Sequence, residues 1–256
     1  MTYLDDLFSL TGRTAVVTGG SSGIGRGIAT ALARAGAAVV LVARGRDALD
    51  TTASELRAAG CRCEAVVGDL STRSGVRAAA EAATEPFGEP DVVVSSAGVN
   101  LRPPMAEIGE DVWDTTMAVN LEAPFWLGQR FGPAMAARGH GRLIHVSSQQ
   151  AHRAFVTSGA YGVSKGGLES LARSQAEAWS AHGVTANTLV PGFVLTPLNE
   201  RLQEDPGRVA ALADRTLVGR NSVPDDLAGA AVFLASPASG YVTGQSIHVD
   251  GGFSVH

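Results

Sequence analysis

Lysine is nearly missing from this 256-residue chain: of 20 basic residues 19 are arginine, and Lys165 stands alone. Cysteine is almost as scarce, with only Cys61 and Cys63. One residue apart in a strand approach, the two thiols would share a face, but two ligands are too few for structural zinc and no histidine lies at a matching spacing. Free cytosolic thiols and no metal are therefore expected. There is no basic excess either. A net charge of −5 and a pI near 5.7 exclude the basic face that nucleic acid or an anionic membrane surface requires. No apolar run approaches the ~18 residues of a membrane span. The start, with Asp5 and Asp6, lacks the basic-then-apolar order of a signal peptide. Linker-like stretches, fixed-period repeats and low-complexity tracts are also missing. The expectation is a soluble, cytoplasmic protein with no nucleic-acid or membrane partner, folded as one domain over residues 1–256.

What is present is an alternation. Short β-branched runs at Thr14–Val17, Ala38–Val42, Cys63–Val67, Asp91–Ser95, Leu143–Val146, Thr185–Leu189 and Ser246–Val249 read as strands. Between them, helical stretches are expected near Gly25–Ala35, Arg46–Ala59, Thr72–Ala83, Met105–Ala137, Ala160–Ala181 and Pro224–Leu234. Repeated βαβ units with right-handed crossovers predict an α/β fold: a single Rossmann-type, doubly wound parallel sheet of about seven strands, with helices on both faces.

Two stretches carry chemistry. The first strand runs directly into Thr18-Gly19-Gly20-Ser21-Ser22-Gly23-Ile24-Gly25 and then a helix. Glycines at 19, 23 and 25 let the backbone turn sharply and approach a pyrophosphate, with amides and the helix N-terminus facing the negative charge. The second stretch is Tyr161-Gly162-Val163-Ser164-Lys165. Four residues apart on a helix, a phenol and an ammonium lie side by side. At about 5 Å and an effective dielectric of about 20 their attraction is about 3 kcal/mol, which predicts a phenol pKa lowered by roughly two, toward a working range for proton transfer. A compact ammonium kept where arginine is used everywhere else implies that a guanidinium would not fit or would not serve.

Taken with Ser96-Ala97-Gly98, Asn120, Ser148, Pro191-Gly192, Val242-Thr243-Gly244 and Val249-Asp250-Gly251-Gly252, these stretches occur in an order that resembles the short-chain dehydrogenase/reductase family over essentially the whole chain. The resemblance implies a nicotinamide cofactor, a homotetramer and a catalytic set of Asn120, Ser148, Tyr161 and Lys165. Asn120 is similar to the asparagine that kinks its helix and holds a relay water. Ser148 would donate to a substrate carbonyl oxygen, and strand alternation turns Ser147 the other way. Cofactor contacts are expected from Gly19, Ser21, Ser22, Gly23, Ile24, Gly25, Arg44, Asp69, Leu70, Ala97, Gly98, Tyr161, Lys165, Pro191, Gly192, Val194 and Thr196. At the end of the second strand Ala43 stands where an acidic residue would select NAD, and Arg44 could bind a 2′-phosphate, so NADP(H) is favoured over NAD(H). Ser22, against this, is not the basic residue of many NADP-dependent relatives, and Ser96 replaces the family's usual asparagine.

Residues from about 194 to 215 read as a substrate lid. Arg102, His152 and Arg153 leave the same sheet edge and are candidates to hold an acidic or polyol substrate. The chain looks most like the gluconate 5-dehydrogenase branch, which implies hydride exchange with a ketone or secondary alcohol, such as gluconate and 5-ketogluconate. A 3-oxoacyl-carrier-protein reductase shares every motif, and a non-catalytic NADP(H)-sensing regulator is the alternative from another class. Trp113, Trp126 and Trp179 lie on helices that form tetramer contacts in the family. His140, His145, His182, His248 and His256 show no ligand spacing and are expected to be structural or exposed.

Overall fold

The computed structural model describes residues 2–256. Seven strands, β1 (Thr14–Thr18), β2 (Ala38–Ala43), β3 (Cys63–Val67), β4 (Val92–Ser95), β5 (Gly141–Val146), β6 (Val184–Pro191) and β7 (Ser246–Val249), form one parallel sheet in the order β3-β2-β1-β4-β5-β6-β7. Strands β1, β4, β5 and β6 are buried along their whole length, as a sheet covered on both faces requires.

Successive residues on each strand feed opposite cores. Val17, Val39, Leu41, Val92 and Val94 pack with Ile28 and Leu32 of α2 (Gly23–Arg34), Leu49 and Leu56 of α3 (Arg46–Ala58), and Leu234 of α10 (Ala228–Ala235). Val16, Val40, Val42 and Val93 pack with Val76 of α4 (Arg73–Thr84), Leu127, Phe131 and Met135 of α6 (Ala123–Arg138), and Ala176 of α7 (Gly159–Trp179). Strand β1 lies between β2 and β4, so successive crossovers depart in opposite directions there and leave a crevice at the carboxyl edge.

One expected helix is broken. In place of a continuous Met105–Ala137, the chain forms a short turn at Met105–Glu107, α5 (Glu110–Met117), a π-helical turn at Ala118–Glu122, and then α6. Extra elements also appear: α1 (Tyr3–Phe8), and α8 (Glu200–Gln203) with α9 (Pro206–Asp214) in the segment after β6. None of these three short helices contains a buried residue, so no apolar period marked them in the sequence. No helix of the described residues is long and apolar enough to cross a membrane.

His145 in β5 is 1% exposed, and its Nε2 lies 2.7 Å from Gln175 Oε1. Burial pushes its pKa down to about 4. The unfolded chain binds that proton near 6.5 and the folded one only near 4, so stability is full above 6.5 and falls as pH drops through this window. The loss from His145 amounts to about 3 kcal/mol. Urea unfolding at pH 7 and pH 4.5 should show a smaller pH difference for His145→Asn than for the wild type; equal differences would remove the assignment.

Candidate active site

The glycine turn bridges β1 and α2. Gly19 has φ +69°, and a Cβ there would lie 2.8 Å from the Ala97 amide nitrogen. A Cβ on Gly25 would lie 2.3 Å from the Gly19 carbonyl oxygen. The turn is thus too close to its neighbours for any side chain at these two positions. Ser22 precedes α2 without capping an amide through its side chain, which leaves the first helical N–H groups free for an anion.

A groove of about 290 Å³ runs from Ala43, Arg44, Gly45, Gly68, Asp69 and Leu70, past Gly19, Ser21 and Ser22, to Ala97, Gly98, Val99 and Val119. The Asp69 carboxylate accepts from the Ser71 amide at 3.0 Å, and that backbone bond, ahead of the more distant Arg44 charge, holds its pKa below the usual range. Ile24 packs against the core beneath the turn. From the other side, the chain after β6 closes on the turn, and a Cβ on Gly23 would lie 3.2 Å from Thr196 Cβ. Asn199 holds that segment by accepting from the Thr196 amide at 3.1 Å and donating to the Val194 carbonyl at 2.7 Å. Gly192, after Pro191 ends β6, passes so near Asp250 that a Cβ would lie 2.9 Å from its Cα.

These dimensions suit a dinucleotide: glycines where a phosphate would need backbone, free helix amides for its charge, and Arg44 at the far end. Ser96 and Ala97 are held in place by Thr18, whose hydroxyl oxygen accepts from their amides at 3.1 Å and 3.2 Å. Thr18 was not read as a site residue. Its place as the last residue of a strand at the crevice edge was the available signal.

Beyond the groove, Ser148, Tyr161 and Lys165 come together. Ser148 lies just past β5, its backbone still extended, and its Oγ accepts from the Gln150 amide at 3.2 Å. Ser147 faces the other way and donates to Glu169 Oε1 at 2.8 Å, as strand alternation requires. Lys165 is 5% exposed, donates to the Val146 carbonyl at 2.7 Å and lies 5.7 Å from the Tyr161 ring centre. Burial lowers it to about 8. The expectation of an acidified phenol is corrected: Tyr161 is 8% exposed, and burial raises its pKa, outweighing the opposing pull of the Ser148 hydroxyl and the Arg102 guanidinium. Attraction between the Tyr161 and Lys165 side chains does not offset the loss of water around a phenol buried this deeply.

Asn120 sits in the π-helical turn, and its side chain makes three hydrogen bonds. It accepts from the Val99 amide at 2.9 Å and donates to the Val99 carbonyl at 3.0 Å and to Ser164 Oγ at 3.1 Å. Its side chain therefore fastens the loop after β4 to α7, with both amide hydrogens committed.

Across nearly the whole length, a family model described as enoyl-(acyl carrier protein) reductase matches residues 19–254. Gluconate 5-dehydrogenase of Gluconobacter oxydans is 38% identical over 98% of this chain and 98% of its own. The chain belongs to the short-chain dehydrogenase/reductase family. It is an oxidoreductase acting on CH–OH groups. Galactitol 2-dehydrogenase (L-tagatose-forming) of Cereibacter sphaeroides is 38% identical, covering 97% of this chain and 98% of its own. Among solved structures, a gluconate 5-dehydrogenase from Burkholderia cenocepacia in complex with NADP and tartrate superposes with a TM-score of 0.94 at 37% identity, covering 99% of this chain and 100% of that one.

Of the three basic residues expected to face substrate in this short-chain dehydrogenase/reductase, two have other partners. His152 Nε2 lies 3.0 Å from Glu169 Oε2, and Arg153 donates to the Ser254 carbonyl. The His152 side chain thus meets α7 and that of Arg153 the C-terminal segment, partners that sequence position along one edge could not reveal. Arg102 alone remains near Tyr161. Its guanidinium donates to the carbonyls of Val156 at 2.9 Å and Thr157 at 3.3 Å, and burial together with the Arg208 charge lowers its pKa. Thr157 has φ +60°, the one non-glycine residue of the described chain in the left-handed region, so Arg102 pins a strained loop.

Proposed function

We propose that this chain is an NADP(H)-dependent dehydrogenase that interconverts a ketone and a secondary alcohol on a small sugar acid, in the manner of gluconate and 5-ketogluconate. The observation that carries the reading is the joint burial of Tyr161 and Lys165 beside Ser148, at the end of the groove that starts at the glycine turn. The bound nicotinamide supplies or accepts the hydride. In reduction, the Ser148 hydroxyl donates to the substrate carbonyl oxygen and Tyr161 Oη transfers its proton to the same oxygen as charge develops there. The Lys165 ammonium then stabilises the phenolate until solvent returns a proton; oxidation reverses each transfer. A phenol kept protonated by burial suits the reductive direction. Asn120 fixes the loop after β4 against α7.

Gly19, Ser21, Ser22, Gly23, Ile24, Gly25, Asp69, Leu70, Ala97, Gly98, Pro191, Gly192, Val194 and Thr196 would hold the cofactor, and Arg44 beside Ala43 would take its 2′-phosphate. Arg102 would meet the carboxylate of the substrate, and residues 194–215, with Arg208 on α9, would form the lid over it. The unit of function is a single domain over residues 1–256, acting in the cytoplasm as a homotetramer. Trp113 on α5 and Phe125 on α6, 42% and 36% exposed, offer apolar surface for that assembly, and analytical ultracentrifugation reads its stoichiometry.

Cofactor absorbance with NADPH and NADH against 5-ketogluconate, neutral ketones and an acetoacetyl thioester tests this reading. Faster turnover of the keto acid with NADPH supports it, whereas activity confined to the thioester selects a 3-oxoacyl-carrier-protein reductase. Arg102→Ala should raise KM for the keto acid roughly tenfold, the weight of one charge-assisted contact, and leave a neutral ketone unchanged. Equal losses on both would mean that Arg102 only supports its loop.

A further inference from the structure

Glu169 follows Lys165 by one further helical turn, so Tyr161, Lys165 and Glu169 lie along one face of α7. Its carboxylate is 5% exposed. A buried carboxylate is retained only when donors replace its water, and three do so here. Ser147 Oγ donates to Oε1 at 2.8 Å, Ser246 Oγ donates to Oε2 at 2.9 Å, and His152 Nε2 lies 3.0 Å from Oε2. Two of these three residues, Ser147 and His152, flank Ser148 in the sequence. The turn between them is tight, with the His152 amide donating to the Gln149 carbonyl at 3.0 Å and Ser148 Oγ accepting from Gln150 N. One carboxylate on the helix of Tyr161 therefore grips the Ser148 segment at both ends.

We infer that Glu169 and His152 are positioning residues that hold the Ser148 hydroxyl in register with the Tyr161 phenol. This rests on the proton-transfer roles given above to Ser148 and Tyr161. Neither Glu169 nor His152 touches the groove, so their effect is on geometry alone. The far side of the His152 ring packs 5.1 Å from the His248 ring, whose Nδ1 is 3.8 Å from Asp250 Oδ2. Arg153, the next residue, is tied to Ser254. The grip thereby extends from the end of β5 to the C-terminal segment after β7.

The test compares Glu169→Gln, His152→Gln, the double variant and Tyr161→Phe, using NADPH and 5-ketogluconate. Each of the first two should lower kcat roughly ten- to a hundredfold, the cost of a small misplacement of reacting groups. NADPH affinity, read by fluorescence titration, should stay within threefold. The double variant should lose no more than the worse single one, because both changes break the same grip. The solvent deuterium isotope effect on kcat should rise in all three, since proton transfer is the step made slower. His152→Gln lies on a partly exposed loop and answers the question if Glu169→Gln does not fold. Wild-type kcat in His152→Gln with Tyr161→Phe inactive overturns the inference and leaves the proposed function standing. So does a lower kcat with an unchanged isotope effect and additive losses, the signature of merely fewer folded molecules. A fully active Tyr161→Phe overturns the proposed function itself, and the inference with it.

Discussion

Tyr161→Phe is expected to lower kcat about a thousandfold with NADPH and 5-ketogluconate, within the range by which a positioned general acid accelerates proton transfer. The ring stays, so packing against Lys165 and the core is kept and the variant should melt as the wild type does. Only the hydroxyl is lost, and no other acid of comparable placement can take over. Ser148 has a hydroxyl too weakly acidic for the task, and Lys165 donates to the Val146 carbonyl from beneath the ring. Steady-state turnover at saturating cofactor is the measurement, and a residual rate within tenfold of the wild type would end the assignment of Tyr161 as proton donor.

Lys165→Arg is the second large effect, with an expected loss in kcat of a hundredfold or more, a transition-state cost of about 3 kcal/mol. The ammonium is 5% exposed and reaches a single carbonyl at 2.7 Å, while a Cβ on Gly98 would lie 3.9 Å from Nζ. A planar guanidinium with five donors has neither the room nor the acceptors here. The charge consequence separates the two side chains further. Folded Lys165 holds its proton to about 8, the unfolded chain to 10.5. Between those values the unfolded state binds more protons, so stability from this site rises with pH, and the desolvation cost is present in full only below 8. Arginine cannot give up its proton, so its cost persists at every pH. Thermal melts should therefore show Lys165→Arg less stable than the wild type, by a wider margin at pH 9.5 than at pH 7. Equal melting at both pH values together with kcat within tenfold would refute the account. A matched decline of wild-type reduction through pH 8 should accompany the discharge of the ammonium.

Much of the frame was legible in the chain. Continuous apolar runs such as Ala38–Val42 and the glycines at 19, 23 and 25 report local backbone demands, and the strands appear within two residues of the places read for them. The kink expected at Asn120 takes the form of a π-turn, fastened by the Val99 amide 21 residues earlier, whereas the break between Glu107 and Glu110 carries no mark in the apolar pattern. His152 and Arg153 were assigned to substrate from their edge of the sheet, yet the groups that claim them, Glu169 and Ser254, are 17 and 101 residues away.

The sequence by itself determined the parallel winding, the glycine turn at its head and the pairing of a phenol with the one lysine on a single helix face, because spacing and backbone freedom act over a few residues. Only the tertiary structure decided the acidity of that phenol, the commitment of Asn120 and His152, and the grip of Glu169 on the serine segment. Desolvation and hydrogen-bond partnership are sums over neighbours brought together from distant parts of the chain, and no local pattern carries them.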